Sequence, residues 1–147
     1  MPRPAKTDGV GRVQYRGSIA GVNWRALKAS LAADRFDNGR TAAQLKKSFA
    51  NSQGVCIAWL DSRVVGTARV LSDGVCNAYM VDVWTWSAVR RRGIAQHMIE
   101  LLCRKLKGQH LYLQAEGAAA ALYRGLGFRP QPIGMSTVIG TWLSKGD

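Results

Sequence analysis

The sequence predicts an α/β domain in which a mixed, mostly antiparallel central sheet is flanked by about four helices. Three observations predict it. Runs rich in β-branched residues follow one another between residues 55 and 85 with a turn signal after each, the pattern of an antiparallel meander. A run of helical period then separates the last of these from a strand-like run at 110–115, and a helical crossover makes those two strands parallel neighbours. The chain of 147 residues has the size of one domain that can bury a core without disulfides or a metal.

The elements follow in order. The opening MPRPAKTDGVGR has Pro2, Pro4, Gly9 and Gly11 and no apolar core of a leader, so residues 1–12 are expected to be a loose arm before a single domain at 13–147. VQYRGSI (13–19) reads as a first strand. In NWRALKASLAADRF, Trp24, Leu27, Leu31 and Phe36 recur at roughly helical spacing. In NGRTAAQLKKSFANS, Thr41 and Gln44 form a capping-box pattern, with Leu45 and Phe49 one turn apart. VCIAWL (55–60) and VVGTARVL (64–71) read as a hairpin, and SDG (72–74) turns the chain into VCNAYMVDVWT (75–85). From Gly93 to Leu106, Ile94, Met98, Ile99, Leu102 and Leu106 keep helical period, Glu100 can pair with Arg104, and Gly108 supplies a stop. HLYLQA (110–115) is a strand, GAAAALYRGLGF (117–128) a short helix ending near Gly127, and RPQPIGMSTVIGTWL has the composition of a closing hairpin.

Composition narrows the function classes. With 47% hydrophobic and 20% charged residues the chain is far from the disordered class. No apolar stretch is long enough to span a bilayer, so no membrane role is expected and the cytoplasm is the default compartment. Cys56, Cys76 and Cys103 lie in different elements without a Cys-x-x-Cys pair, and with only His97 and His110 beside them no metal site is expected; they read as buried, reduced thiols. The net charge of +12 is spread along the chain, a field that attracts nucleic acid and phosphorylated small molecules alike.

RRRGIA (90–95) decides between these. It follows a strand and opens a helix, so backbone N–H groups from Arg92 to Ala95 lack intrahelical partners at the positive end of the helix dipole. Gly93 and Ala95 let the backbone approach a phosphate, and Arg90, Arg91 and Arg92 surround it with charge. The motif is neither a Walker loop nor a dinucleotide fingerprint, and taken alone it reads first as a solvated basic turn.

In context, Arg90-x-x-Gly93-x-Ala95 after a strand resembles the Arg/Gln-x-x-Gly-x-Gly/Ala signature of the GNAT superfamily of acetyl-CoA-dependent N-acetyltransferases, and ALYRGLGF (121–128) is similar to a second signature of those enzymes. The order of elements agrees over roughly residues 13–143. A narrower likeness, in ARVLSDGVCNAYMVDVWTW (68–86), is to the branch holding bacterial members and plastid enzymes of arylalkylamines such as serotonin.

The resemblance implies a sheet splayed between its two parallel strands, with the pantetheine arm of acetyl-CoA against Val83, Trp84 and Thr85 and the pyrophosphate on Arg90, Arg91, Arg92, Gly93, Ile94 and Ala95. It implies direct attack of a neutral primary amine on the thioester, an oxyanion held by a strand N–H near Val83 or Trp84, and Tyr123 as the acid that protonates the leaving thiolate. Relatives with a base on the central strand carry it where this chain has Tyr79 and Val81, neither a carboxylate nor a histidine. Tyr79 and Glu116 are the remaining candidates, Glu116 being equally a solvated cap of the following helix, and a water chain needs no base at all. Strict alternation puts Tyr79, Val81, Val83 and Thr85 on one face and Met80, Asp82, Trp84 and Trp86 on the other, which turns Asp82 away. His97 is expected to be structural or to line the cofactor side, and Trp24, Trp84 and Trp86 are candidates for a flat acceptor pocket.

The expected function is therefore transfer of acetyl from acetyl-CoA to a small-molecule amine, without a metal, with a homodimer as an arrangement common in the resembling family. The missing strand carboxylate motivates an alternative, a non-catalytic acyl-CoA-binding regulatory module. Nucleic acid is an unfavoured partner, because no recognition motif or stacking surface accompanies the charge.

Overall fold

The computed structural model describes residues 12–143, so the arm expected at 1–12 lies almost wholly outside the described residues. The first strand is Gln14–Arg16 (β1). Helix Trp24–Ala33 (α1) begins where the Asn23 side chain accepts from the Ala26 N–H at 3.1 Å, and it buries Leu27 and Leu31. Helix Ala42–Ala50 (α2) opens on the anticipated capping box, with Thr41 and Gln44 each accepting from the other's backbone N–H, and buries Leu45 and Phe49. Strands Gly54–Leu60 (β2), Arg63–Ser72 (β3) and Asn77–Thr85 (β4) form the antiparallel meander. A 3-10 turn at Ser87–Val89 leads to helix Ile94–Cys103 (α3), then strand His110–Tyr112 (β5) and helix Gly117–Gly125 (α4).

The five strands lie in the order β1-β2-β3-β4-β5, antiparallel except for β4 and β5, which the α3 crossover makes parallel as expected. One core cluster joins the sheet to α3 through Met98, Ile99 and Leu102, and a second joins the opposite face to α1 and α2 through Leu27, Leu31, Leu45 and Phe49. Both faces of β2 and β3 are therefore covered, which is why Val55–Trp59 and Val64–Ala68 read as apolar runs rather than alternating ones.

Gly66 shows how closely α3 sits. A Cβ at this position would stand 3.0 Å from Met98 Cε, 3.2 Å from Met98 Sδ and 3.2 Å from Ala58 Cβ. Because Met98 is itself fully buried, Gly66→Val overpacks a region with no free space and is expected to lower stability by about 1–3 kcal/mol. Thermal unfolding checks this; an unchanged melting temperature would mean that α3 yields more easily than its packing indicates.

Several expectations are corrected. β5 ends at Tyr112, not at residue 115. Glu100 accepts from Gln96 Nε2 at 2.9 Å, one turn N-terminal, rather than pairing with Arg104. Cys56 is buried and Cys103 half-buried, but Cys76 is exposed; burial pushes the Cys56 thiol up to about 11. The closing hairpin is not formed: residues 129–143 contain no strand. Pro130 and Pro132 lack the N–H a ladder needs, and Ile133 (83% exposed), Met135 (99%) and Ile139 (89%) have no sheet face to pack on.

Candidate active site at the open edge of the central strand

β4 and β5 pair only from Asn77↔His110 to Tyr79↔Tyr112. Beyond Tyr79 the pairing stops, and among the described residues the backbone of β4 from Met80 to Thr85 has no strand on that side. The same stretch is irregular toward β3. Arg69 pairs with Val81 and Thr67 with Trp84, so β4 carries an extra residue, and Asp82 within it has φ of +55°. A left-handed conformation in a non-glycine strand residue requires surrounding contacts that hold it. The Thr67 hydroxyl donates to the Asp82 carbonyl oxygen at 2.8 Å and satisfies an acceptor that the bulge takes out of the ladder.

The bulge overturns the expected alternation. Tyr79 and Val81 lie opposite Leu71 and Arg69, and the Arg69 guanidinium sits over the Phe49 ring, so this face is the one covered by α2. Met80 packs in the α3 cluster as alternation requires. After the extra residue the parity reverses: Val83 packs toward α3 and Trp84 joins the α1–α2 cluster. Asp82 turns to the Tyr79–Val81 face, not away from it.

Its carboxylate is nevertheless unsuited to act as a base. Arg40 grips it with a two-pronged fork, Nη1 to Oδ2 at 2.8 Å and Nη2 to Oδ1 at 2.9 Å, while Arg69 Nε donates to Oδ2 at 2.6 Å. Burial pushes the Asp82 carboxyl upward, but hydrogen bonds from Arg40 and Arg69 and their charges outweigh it and hold the group below the usual carboxylate range.

A cavity of about 500 Å³ occupies the gap between the diverging strands. Its walls bring together Tyr79, Met80, Val81, Asp82 and Val83 from β4, Leu113 to Glu116 from the chain after β5, Tyr123 from α4, and Phe36 and Asn38 from the α1–α2 loop. All three residues expected to act in chemistry, Tyr123, Tyr79 and Glu116, therefore share one space. Tyr123 is 7% exposed and meets the Phe128 ring edge-on at 5.5 Å, and burial raises its pKa, so it keeps its proton at neutral pH. Packing and cavity lining are both true of it. Glu116 stands at the N-cap position of α4, but its side chain makes no capping bond.

The far end of β4 leads to RRRGIA. Gly93 is the N-cap of α3 with φ of +79°, and Arg91 also has positive φ at 63°. The His97 N–H makes the first four-residue bond of the helix, to the Gly93 carbonyl at 3.0 Å, so the N–H groups of Ile94, Ala95 and Gln96 precede the ladder. No atom lies within 4 Å of a Cβ built on Gly93, so the turn is open above the backbone and its glycine is required by conformation. Arg90 is tied to the strand end: its Nε donates to the Thr85 carbonyl at 3.0 Å and it lies 3.6 Å from Asp34. The Thr85 hydroxyl is buried and has no hydrogen-bond partner among the described residues, an unmet polar group beside the strand edge.

The other aromatic candidates fall elsewhere. Trp84 is 2% exposed and donates from Nε1 to Asp34 Oδ2 at 2.9 Å, so only its backbone can face the cleft. Trp24 packs on Phe49 with ring centroids 5.6 Å apart, Trp86 lies under the Arg63 guanidinium, and the exposed His97 stacks beside Tyr15. Phe36 and Asn38 form the wall anticipated from tryptophan. The sequence marks Phe36 only as an apolar helix residue and marks neither Asn38, Arg40 nor Arg69 as a site residue; the available signal is an aspartate inside an apolar strand beside an arginine in the neighbouring one.

Comparison with known proteins agrees with this architecture. The sequence model of the acetyltransferase (GNAT) family matches residues 23–128. Serotonin N-acetyltransferase 2, chloroplastic, of Oryza sativa subsp. japonica is 29% identical over 127 residues, covering 80% of this chain and 62% of that protein. The chain thus spans about three fifths of the length of that curated relative. Among solved structures, a protein of unknown function from meticillin-resistant Staphylococcus aureus, titled a probable acetyltransferase, superposes with a TM-score of 0.76 at 18% identity over 88% of this chain and 100% of its own. An acetyltransferase of Clostridium acetobutylicum solved with acetyl-CoA does so with a TM-score of 0.67 at 19% identity over 86% and 96%. At these identities the structures bear on the fold alone.

Proposed function

We propose, from the premise that this chain belongs to the GNAT acetyltransferase family, that it transfers acetyl from acetyl-CoA to a primary amine of a small molecule by direct attack in a ternary complex. The observation that carries the reading is the unpaired β4 edge beyond Tyr79, which opens on a cavity containing Tyr123 and runs at its other end to the open N-terminus of α3. The residues fit the substrate. Backbone along Val83–Thr85 offers strand-like hydrogen bonds to the pantetheine amides, and the unpartnered Thr85 hydroxyl supports a polar ligand there. The N–H groups opening α3, with Arg91 and Arg92 around them, suit the pyrophosphate, while Arg90 braces the strand end.

The chain's contributions follow from these positions. A β4 N–H at the bulge meets the oxyanion that develops as the amine adds. Tyr123 gives its proton to the departing thiolate. Tyr79 and Glu116 face the amine, whose proton leaves through Glu116 or water to the exposed mouth. Phe36, Tyr79 and Tyr123 supply aromatic walls, which favours an arylalkylamine; the likeness to the rice serotonin enzyme supports the same class.

Calorimetric titration with acetyl-CoA, with adenosine diphosphate as the control for simple charge attraction, tests the cofactor half. Saturable one-to-one binding well tighter than about 1 mM that survives moderate salt is expected. Gly93→Val, which cannot hold φ of +79° without strain and places a side chain over the cradle, is expected to weaken that binding at least about tenfold, a change of about 1.4 kcal/mol. Heat that vanishes with salt would return RRRGIA to a basic turn. Tryptamine-like amines then test the acceptor half against aliphatic amines and a peptide N-terminus.

A further inference from the structure

We propose that Arg40, Asp82 and Arg69 form a positioning triad that fixes the β4 bulge and fastens the α1–α2 loop to it, so that the acceptor wall and the reacting strand are set by one buried ion cluster. The inference rests on the acetyltransferase reading for its kinetic consequence and on geometry for the coupling itself.

The cluster is placed where such control is effective. Asp82 is 7% and Arg40 6% exposed, and the two lie 42 residues apart in sequence. Arg40 ends the loop whose Phe36 and Asn38 line the cavity, and Arg35, Asn38 and Gly39 in that loop all have positive φ. Left-handed residues in succession define a loop that does not hold its own shape by local propensity. It is pinned at both ends to the same stretch of chain. At one end Asp34 Oδ2 accepts from Trp84 Nε1 at 2.9 Å and from the Ser87 N–H at 3.0 Å; at the other Arg40 holds Asp82. One clamp holds the bulge itself and the other the strand end that follows it.

Chemistry points the same way. The buried Arg40 and the part-buried Arg69 share one carboxylate, leaving the cluster one positive charge in excess, and a brace built for stability alone would do as well with apolar side chains. What the arrangement uniquely supplies is direction. The planar Arg40 fork and the Arg69 Nε occupy both carboxylate oxygens, which leaves Asp82 a single orientation, and Thr67 fixes the carbonyl of the same residue. The backbone on either side, Val81 and Val83, lines the cavity.

Arg40→Lys and Arg40→Ala test the triad, with Arg40→Lys keeping charge but losing the two-pronged fork. Acetyl-CoA affinity is expected to fall by far less than kcat in both, because the cradle at α3 is untouched and only the pantetheine stretch at Val83–Thr85 adjoins the bulge. In both variants kcat is expected to fall at least tenfold and KM for the amine to rise, and amide hydrogen exchange at 80–85 and at 36–39 should quicken together. A kcat that survives in Arg40→Lys, or a drop matched by an equal loss of acetyl-CoA affinity, would overturn the positioning role. If the wild type acetylates no amine, the function reading fails separately; the exchange measurement still decides, since independent behaviour of the two segments would overturn the coupling.

Discussion

Tyr123→Phe is expected to fold, to bind acetyl-CoA with unchanged affinity, and to turn over about 100-fold more slowly than the wild type, the lower end of what a positioned general acid contributes. Folding is expected to survive because phenylalanine keeps the edge-on contact with Phe128 and the packing beside Leu122 and Leu126. The loss should appear in kcat, since no substrate-binding contact is removed. Burial raises the Tyr123 pKa above 10, so the wild-type rate should be insensitive to this group through neutral pH and should decline only where the tyrosine ionises on the alkaline side; the variant lacks that alkaline limb. Single-turnover kinetics with a matched amine would check both. A full wild-type rate in Tyr123→Phe would take the hydroxyl out of the reaction and leave the thiolate to find its proton in water.

Tyr123 becomes a candidate through the likeness of ALYRGLGF, and it stands in the cavity wall. Helices and strands here announce themselves locally: the Thr41/Gln44 box, the Leu27 and Leu31 stripe and the Ile94–Leu102 period each depend on neighbours within a few residues, and each element formed where expected. The crossover from β4 to β5 likewise follows from topology alone. What failed was what depends on distant partners. Nothing within VDVW announces a bulge, because the residues that hold Asp82 left-handed are Arg40, Thr67 and Arg69 on other elements. One inserted residue reverses every face assignment after it, and so Asp82 and Trp84 changed neighbours together. The C-terminal segment failed for the converse reason: MSTVIGTWL has strand composition, but composition creates no ladder where β5 is three residues long and the segment's apolar side chains stay in solvent. The cavity wall illustrates both cases, tryptophans having been expected where Phe36 and Asn38 stand.

The Asp82 cluster should also dominate the response to acid and to charge removal. Its carboxyl titrates below the value near 3.9 expected in the unfolded chain, so the unfolded state binds the proton first as the pH falls. The stabilisation is accordingly complete above about pH 4 and is lost as the pH drops through the lower, folded value. Asp82→Asn imitates that loss at neutral pH while leaving the buried Arg40 and the part-buried Arg69 without a counter-ion, and is expected to lower stability by about 3–5 kcal/mol. Chemical denaturation at pH 7 and at pH 3.5 checks both statements: the variant should be much the weaker at pH 7, and the gap should narrow at the lower pH as proton uptake by Asp82 begins to favour the unfolded wild type. A triple replacement, Asp82→Leu with Arg40→Met and Arg69→Met, separates stability from direction. Apolar groups of similar size can recover most of the lost stability, but nothing then aims the bulge, so a stable triple variant with acetyl-CoA binding and little turnover is the expected result. Wild-type turnover in that variant would mean that β4 holds its bulge without the ions, and that the charges serve the fold alone.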